Sequence, residues 1–255
     1  MFLPKVTFEI APIEQEAELL YSFSDPNERF FYFMRDIYPD LIDKLSNTKD
    51  EKEKINICKI FAEEKTKLLK KEILETKENF NISWNKINDS YLQILSEHLE
   101  TKWPDNKNIT AFISIVPICP RFLDDYSFSI FYKKDWSEAK VTIAHEILHF
   151  LWFKKWLEVF PTTKKEEFES PHLIWRLSEI IDPIILHCHP QINEIIKPID
   201  WGYQSFVNIK IGEKTIPEYF KDIYKKGINE KLSFSEIMKE LWNKTQENEK
   251  EINKF

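Results

Sequence analysis

Val141-Thr142-Ile143-Ala144-His145-Glu146-Ile147-Leu148-His149-Phe150-Leu151-Trp152-Phe153 is the stretch on which the reading of this chain turns. Apart from Thr142, His145, Glu146 and His149, every residue in it is apolar. A helix that is apolar on most faces lies inside a protein. On such a helix His145 and His149, four residues apart, project from the same face. Two neutral imidazole nitrogens can then meet one metal ion. A buried polar side chain needs a partner, and a metal satisfies both rings at once. The plainer alternative is a core helix with two hydrogen-bonded histidines. Two such ligands suit zinc, one ion per chain, and a third protein ligand leaves one position open for water. Glu146 follows the first histidine directly and reaches that water without binding the metal. Its expected role is general base, taking the proton of the water and later passing it to the leaving amine.

Working outward, the spacing predicts a helix from about Ser137 to Phe160, ended by Pro161. Ahead of it, Ile109 to Val116 is β-rich and bounded by Pro117 and Pro120, and Ser127 to Tyr132 alternates polar and apolar residues as a half-exposed strand does. After it, Ser170-Pro171 has the cap-plus-proline form of a helix start. That helix is expected to run to about Ile181 and to stop or kink near Pro183. Further upstream, Lys5 to Ile10 alternates weakly, as a short strand. Ser24-Asp25-Pro26 predicts a helix to about Tyr38, Asp50 to Asn79 a long charged helix, and Ser83 to Glu100 another. Ser233-Phe234-Ser235-Glu236 is a capping box for a terminal helix. The expected fold is α+β and mainly helical, with a small sheet packed against the motif helix. The expected regions are a helical 1–104 and a motif-bearing 105–255, or one integrated domain of both.

Composition removes several function classes. The chain has 255 residues and only 3 glycines, which leaves no glycine-rich phosphate loop. Its net charge of -7 argues against sequence-independent nucleic-acid binding. Lys67, Lys70 and Lys71 are interleaved with Glu63, Glu64, Glu72 and Glu75, the pattern of a solvated helix face. Cys58, Cys119 and Cys188 are odd in number and far apart, which fits a reducing, cytoplasmic compartment better than a disulfide framework. No signal-peptide pattern and no membrane-spanning apolar run is read in the sequence.

The segment His145-Glu146-Ile147-Leu148-His149 resembles the active-site helix of the zincin metallopeptidases, and the order strand, strand, motif helix, second acidic helix from Ile109 to His189 is similar to that group. The resemblance covers under a third of the chain. Residues Phe150 to Lys154 hold neither the glycine nor the third histidine of metzincins, so the gluzincins are the nearer pattern. That likeness implies a third ligand from a glutamate on a later helix, here Glu179 in Trp175-Arg176-Leu177-Ser178-Glu179-Ile180-Ile181-Asp182. It implies that Asp182 orients a ligand histidine, although its spacing of three differs from the more familiar four. It implies an edge strand that binds extended substrate, with Ser127 to Tyr132 as the candidate. It also implies a downstream oxyanion stabiliser, with Tyr203, His187 and His189 as candidates.

Charge supports Glu179, because two neutral histidines leave the ion its full +2 and favour a carboxylate next. A surface ion pair with Arg176 is the alternative for Glu179, and His172, His187 and His189 are the alternative ligands. The expectation is a zinc-dependent peptidase acting on a peptide or protein substrate. Two other readings stand beside it: a catalytically silent zincin-like regulatory protein with structural zinc, and a deformylase-like amidase. The last needs a cysteine in a glycine-containing motif, which Ile118-Cys119-Pro120-Arg121 lacks.

Overall fold

In the computed structural model, residues 2–199 and 204–254 are described. Their order is β1 (Val6–Ile10), α1 (Ile13–Ser22), α2 (Phe31–Ile37), α3 (Pro39–Ser46), α4 (Glu51–Leu68), α5 (Lys70–Asn85), α6 (Asn88–His98), β2 (Ile109–Ser114), β3 (Arg121–Phe122), β4 (Ser127–Phe131) and α7 (Trp136–Val159). A short 3-10 turn (Lys165–Phe168) leads to α8 (Leu173–Cys188), α9 (Pro190–Ile196) and α10 (Gln204–Asn208). The chain closes with the small hairpin β5 (Lys210–Ile211) and β6 (Lys214–Thr215), then α11 (Ile216–Asn229), α12 (Phe234–Glu247) and α13 (Glu249–Ile252). The protein is α+β and mainly helical.

Two compact units are each assembled from separate stretches of chain. One holds Lys5–Lys86 and Lys107–Ile143; the other holds Met1–Pro4, Ile87–Asn106 and Ala144–Phe255. These units interleave along the chain and are not divided at a single point near residue 104. Strand pairing gives the reason: β1 pairs in parallel with β2 across about a hundred residues, Val6 opposite Ile109 and Ile10 opposite Ile113. The N-terminal helices thus share a core with the strands.

In the first unit the sheet order is β1-β2-β4-β3. β2 also pairs in parallel with β4, and β3 pairs antiparallel with β4 at Ser127 and Phe128. β1 alternates, with Val6 and Phe8 inside and Thr7 and Glu9 outside, as a strand with one covered face does. Phe8 meets Phe80 of α5 edge to face at 6.2 Å. β4 corrects the half-exposed expectation, because all five of its residues are buried. Its serines are small enough to be covered, and Gln15 of α1 donates to the Ser129 hydroxyl at 3.1 Å. Nor is β4 a free edge: β3 occupies its far side at Ser127 and Phe128, and the Pro120 carbonyl accepts from Ser129 N–H at 2.9 Å. The chain itself thus takes up the Ser127 to Ser129 part of the expected substrate edge.

The same unit buries a carboxyl group. Glu16 on α1 accepts from the Ser114 hydroxyl at 2.8 Å and from Ile115 N–H at 2.9 Å, both at the end of β2. Burial pushes its pKa up to about 7, against the opposing pull of those bonds. The folded value lies above the unfolded one, so this group favours folding below the ordinary carboxylate range. That advantage is lost as pH rises toward 7. Glu16→Gln is expected to remove the dependence. Urea unfolding at pH 5 and pH 8 should show wild type losing roughly 2–3 kcal/mol relative to the variant over that interval. Parallel profiles would contradict this reading of Glu16.

In the second unit α8 is the central element: every residue from Ile174 to Leu186 is buried. It begins at Leu173 with His172 as its N-cap, so the expected start at Ser170 is corrected. Pro171 instead stands in the preceding turn, where its carbonyl accepts from Arg176 Nε at 3.0 Å. The expected end near Pro183 is also corrected, because the helix continues to Cys188. Proline cannot donate to the carbonyl four residues back, but burial on all sides carries the helix through. α11 and α12 approach closely at Gly227, where a Cβ would stand 2.6 Å from Ile237 Cγ1.

The division between the units falls within α7, whose first residues, Trp136–Ile143, belong with the sheet. The helix starts and ends within a residue of expectation. Other boundaries differ. The residues after Ser24 form turns up to Phe30 before α2 begins, and the long charged helix is broken at Leu69 into α4 and α5. Ser233 and Thr215 both cap through reciprocal bonds with a glutamate three residues on. Cys58, Cys119 and Cys188 are all free thiols. No helix among the described residues is long and apolar enough to cross a membrane.

Candidate metal centre

His145 and His149 lie one turn apart on α7, and their Nε2 atoms stand 3.0 Å from each other. Glu179 projects from α8 between them. Its Oε2 is 3.3 Å from His145 Nε2 and its Oε1 is 3.3 Å from His149 Nε2. The two ring nitrogens thus lie 3.0 Å apart, and each lies 3.3 Å from a different oxygen of the one carboxylate. Ligands held 2.0–2.2 Å from a tetrahedral ion lie about 3.3–3.6 Å apart. One ligand atom from each of the three side chains lies within 4.8 Å of the others, so the group could hold a metal ion. It is the one group of three or more such side chains found within ligand distance among the described residues.

Asp182 lies against the other ring nitrogen of His149. Its Oδ2 lies 2.9 Å from His149 Nδ1. A neutral ring with its proton on Nδ1, toward this carboxylate, would offer an ion the Nε2 lone pair; without an ion, both nitrogens can carry protons. The spacing of three on α8 places Glu179 and Asp182 on one face, so that they bracket the two nitrogens of a single imidazole.

Burial sharpens the electrostatics. Glu179 is 3% exposed and His149 fully buried, whereas 22% of the His145 side chain reaches solvent. Burial alone would raise the Glu179 pKa, but the His149 charge and the hydrogen bonds from both rings hold it well below the usual carboxylate range. Burial and His149 oppose the protonation of His145, yet the hydrogen bond and charge of Glu179, with the charge of Glu146, raise its pKa overall. A divalent cation would replace protons that this negative pocket otherwise attracts. Glu146 is also buried, one residue along α7 from His145.

The remaining candidates fall elsewhere. Arg176 donates to the Pro171 and Ile252 carbonyls, and Glu179 is buried rather than at the surface where the ion-pair alternative puts it. His172 is the exposed N-cap of α8. His189 accepts from Ile192 N–H through Nδ1 at the start of α9, and its ring packs on His98 at 4.6 Å. His98 in turn bonds the Tyr224 hydroxyl at 2.8 Å. Neither His187 nor His189 joins the ligand group. Tyr203 lies outside the described residues.

Two supports escaped sequence reasoning. Tyr91 of α6, fully buried, donates to the Ala144 carbonyl at 2.7 Å, immediately before the motif. Its pKa is raised well above the ordinary value, first by burial and then by the charge of Asp182. Fifty-three residues separate Tyr91 from Ala144, and no local pattern links them. Phe153 lies parallel to the His149 ring at 5.7 Å, a contact that its i,i+4 spacing could have suggested. Comparison of the chain with protein-family models, curated proteins and solved structures returns no significant match.

Proposed function

We propose that this protein is a zinc-dependent peptidase of gluzincin type, with His145, His149 and Glu179 as the metal ligands and Glu146 as the general base. The observation that carries the reading is the convergence of His145 Nε2, His149 Nε2 and the Glu179 carboxylate, with Glu146 one residue along the same helix. A set of two imidazoles and one carboxylate suits zinc, whereas calcium and magnesium prefer oxygen throughout. Three protein ligands, one of them reached by solvent, fit an open catalytic site better than a closed structural one.

When bound, zinc would polarise a peptide carbonyl and bring the pKa of water toward about 7. The chain's own groups do the rest. Asp182 holds the Nδ1 proton of His149 and so keeps Nε2 directed into the site. Glu146 accepts a proton from the attacking water at a carboxylate oxygen and delivers it to the leaving amine nitrogen. The test is cleavage of a peptide library by zinc-loaded protein, with Glu146→Gln as the control. Zinc retention without any cleavage would overturn the peptidase assignment and leave a structural metal.

A further inference from the structure

The two histidines are not held alike. His149 is fully buried, its Nδ1 lies against Asp182 and its ring is parallel to Phe153 within 11°. Phe153 is backed in turn by Phe168 at 4.5 Å. To leave the site, this ring would have to part from a buried carboxylate 2.9 Å away and open an aromatic stack.

His145 has no such anchors. Its partners among the described residues are His149, edge-on at 4.5 Å, Glu179 through Nε2, and the nearby charge of Glu146. No acid or carbonyl among those residues holds its Nδ1, and its side chain is partly exposed. Rotation of this ring toward solvent gives up its contacts with His149 and Glu179 and the nearby charge of Glu146, and breaks no hydrogen bond to its Nδ1.

Resting on the metal reading above, we infer that His145 is the exchangeable ligand. The divalent cation enters and leaves as the His145 ring swings out, while His149, Glu179 and Asp182 stay in place as a fixed half-site. A direct consequence is that a free imidazole from solution can take the place of the His145 ring but cannot reach that of His149.

The experiment uses the full chain as wild type, His145→Ala and His149→Ala. Each is loaded with zinc and titrated with a chromogenic chelator, with and without millimolar imidazole. Both variants should hold zinc at least about ten-fold more weakly than wild type. Imidazole should restore about ten-fold or more of the affinity of His145→Ala and none of that of His149→Ala. Restoration of both, of neither, or of His149→Ala alone overturns the inference while wild-type zinc binding stands. Wild type that takes up no zinc overturns the underlying metal reading as well. His149→Asn replaces His149→Ala if the cavity left by the smaller residue prevents folding. If neither folds, the His145→Ala arm decides by itself.

Discussion

Glu146→Gln is expected to keep its zinc and to lose peptide hydrolysis by about 10²–10⁴-fold, the usual worth of a positioned general base. Glutamine fills the same space on α7 and leaves His145, His149 and Glu179 in place. It cannot accept a proton from water. The loss should appear in kcat, because proton transfer belongs to the transition state and not to substrate binding. Side-by-side zinc analysis and peptide-cleavage kinetics check both halves. Full activity in Glu146→Gln would exclude the mechanism whatever the metal content, and a loss of zinc would make Glu146 a structural contributor to the site.

Glu179→Ala is expected to weaken zinc binding by a factor of about ten or more, by comparison with the roughly 10–100-fold cost of losing even a group that only orients a ligand. Glu179 is buried between the two Nε2 atoms, and its removal takes the only carboxylate of the ligand group. Glu166→Ala and Glu167→Ala should change little. Glu166 is exposed in the 3-10 turn, and Glu167 accepts from Lys164 N–H at 2.9 Å within the same turn. Competition against a zinc chelator gives all three values. Unchanged affinity in Glu179→Ala, with a loss in His172→Ala or His187→Ala, would move the third ligand to a histidine.

The parts of the site that could be read from sequence are those set by helical spacing. His145 and His149 meet because four residues make about one turn, and Glu179 and Asp182 share a face because three do. The apolar run around the motif also gave α7 nearly to its true ends. What escaped notice depends on distant contacts. Tyr91 reaches Ala144 from α6. β4 looked half-exposed because serines alternate with apolar residues, but those serines find cover inside the fold. Proline was misleading at three places. Pro26 stands in a turn rather than a first helical turn, Pro171 precedes its helix by a turn, and Pro183 sits within a helix that burial sustains. Local propensity yields to tertiary packing at such positions. The division into units was hidden because β1 finds its partner strand about a hundred residues away.

His145, His149 and Glu179 are proposed to hold one zinc ion together. Elemental analysis of the purified chain, stripped of metal and reloaded, tests it most directly when wild type is measured beside the double variant His145→Ala/His149→Ala. About one zinc per wild-type chain and almost none in the double variant is the expected result. A wild-type content near zero, or equal zinc in both proteins, would contradict it.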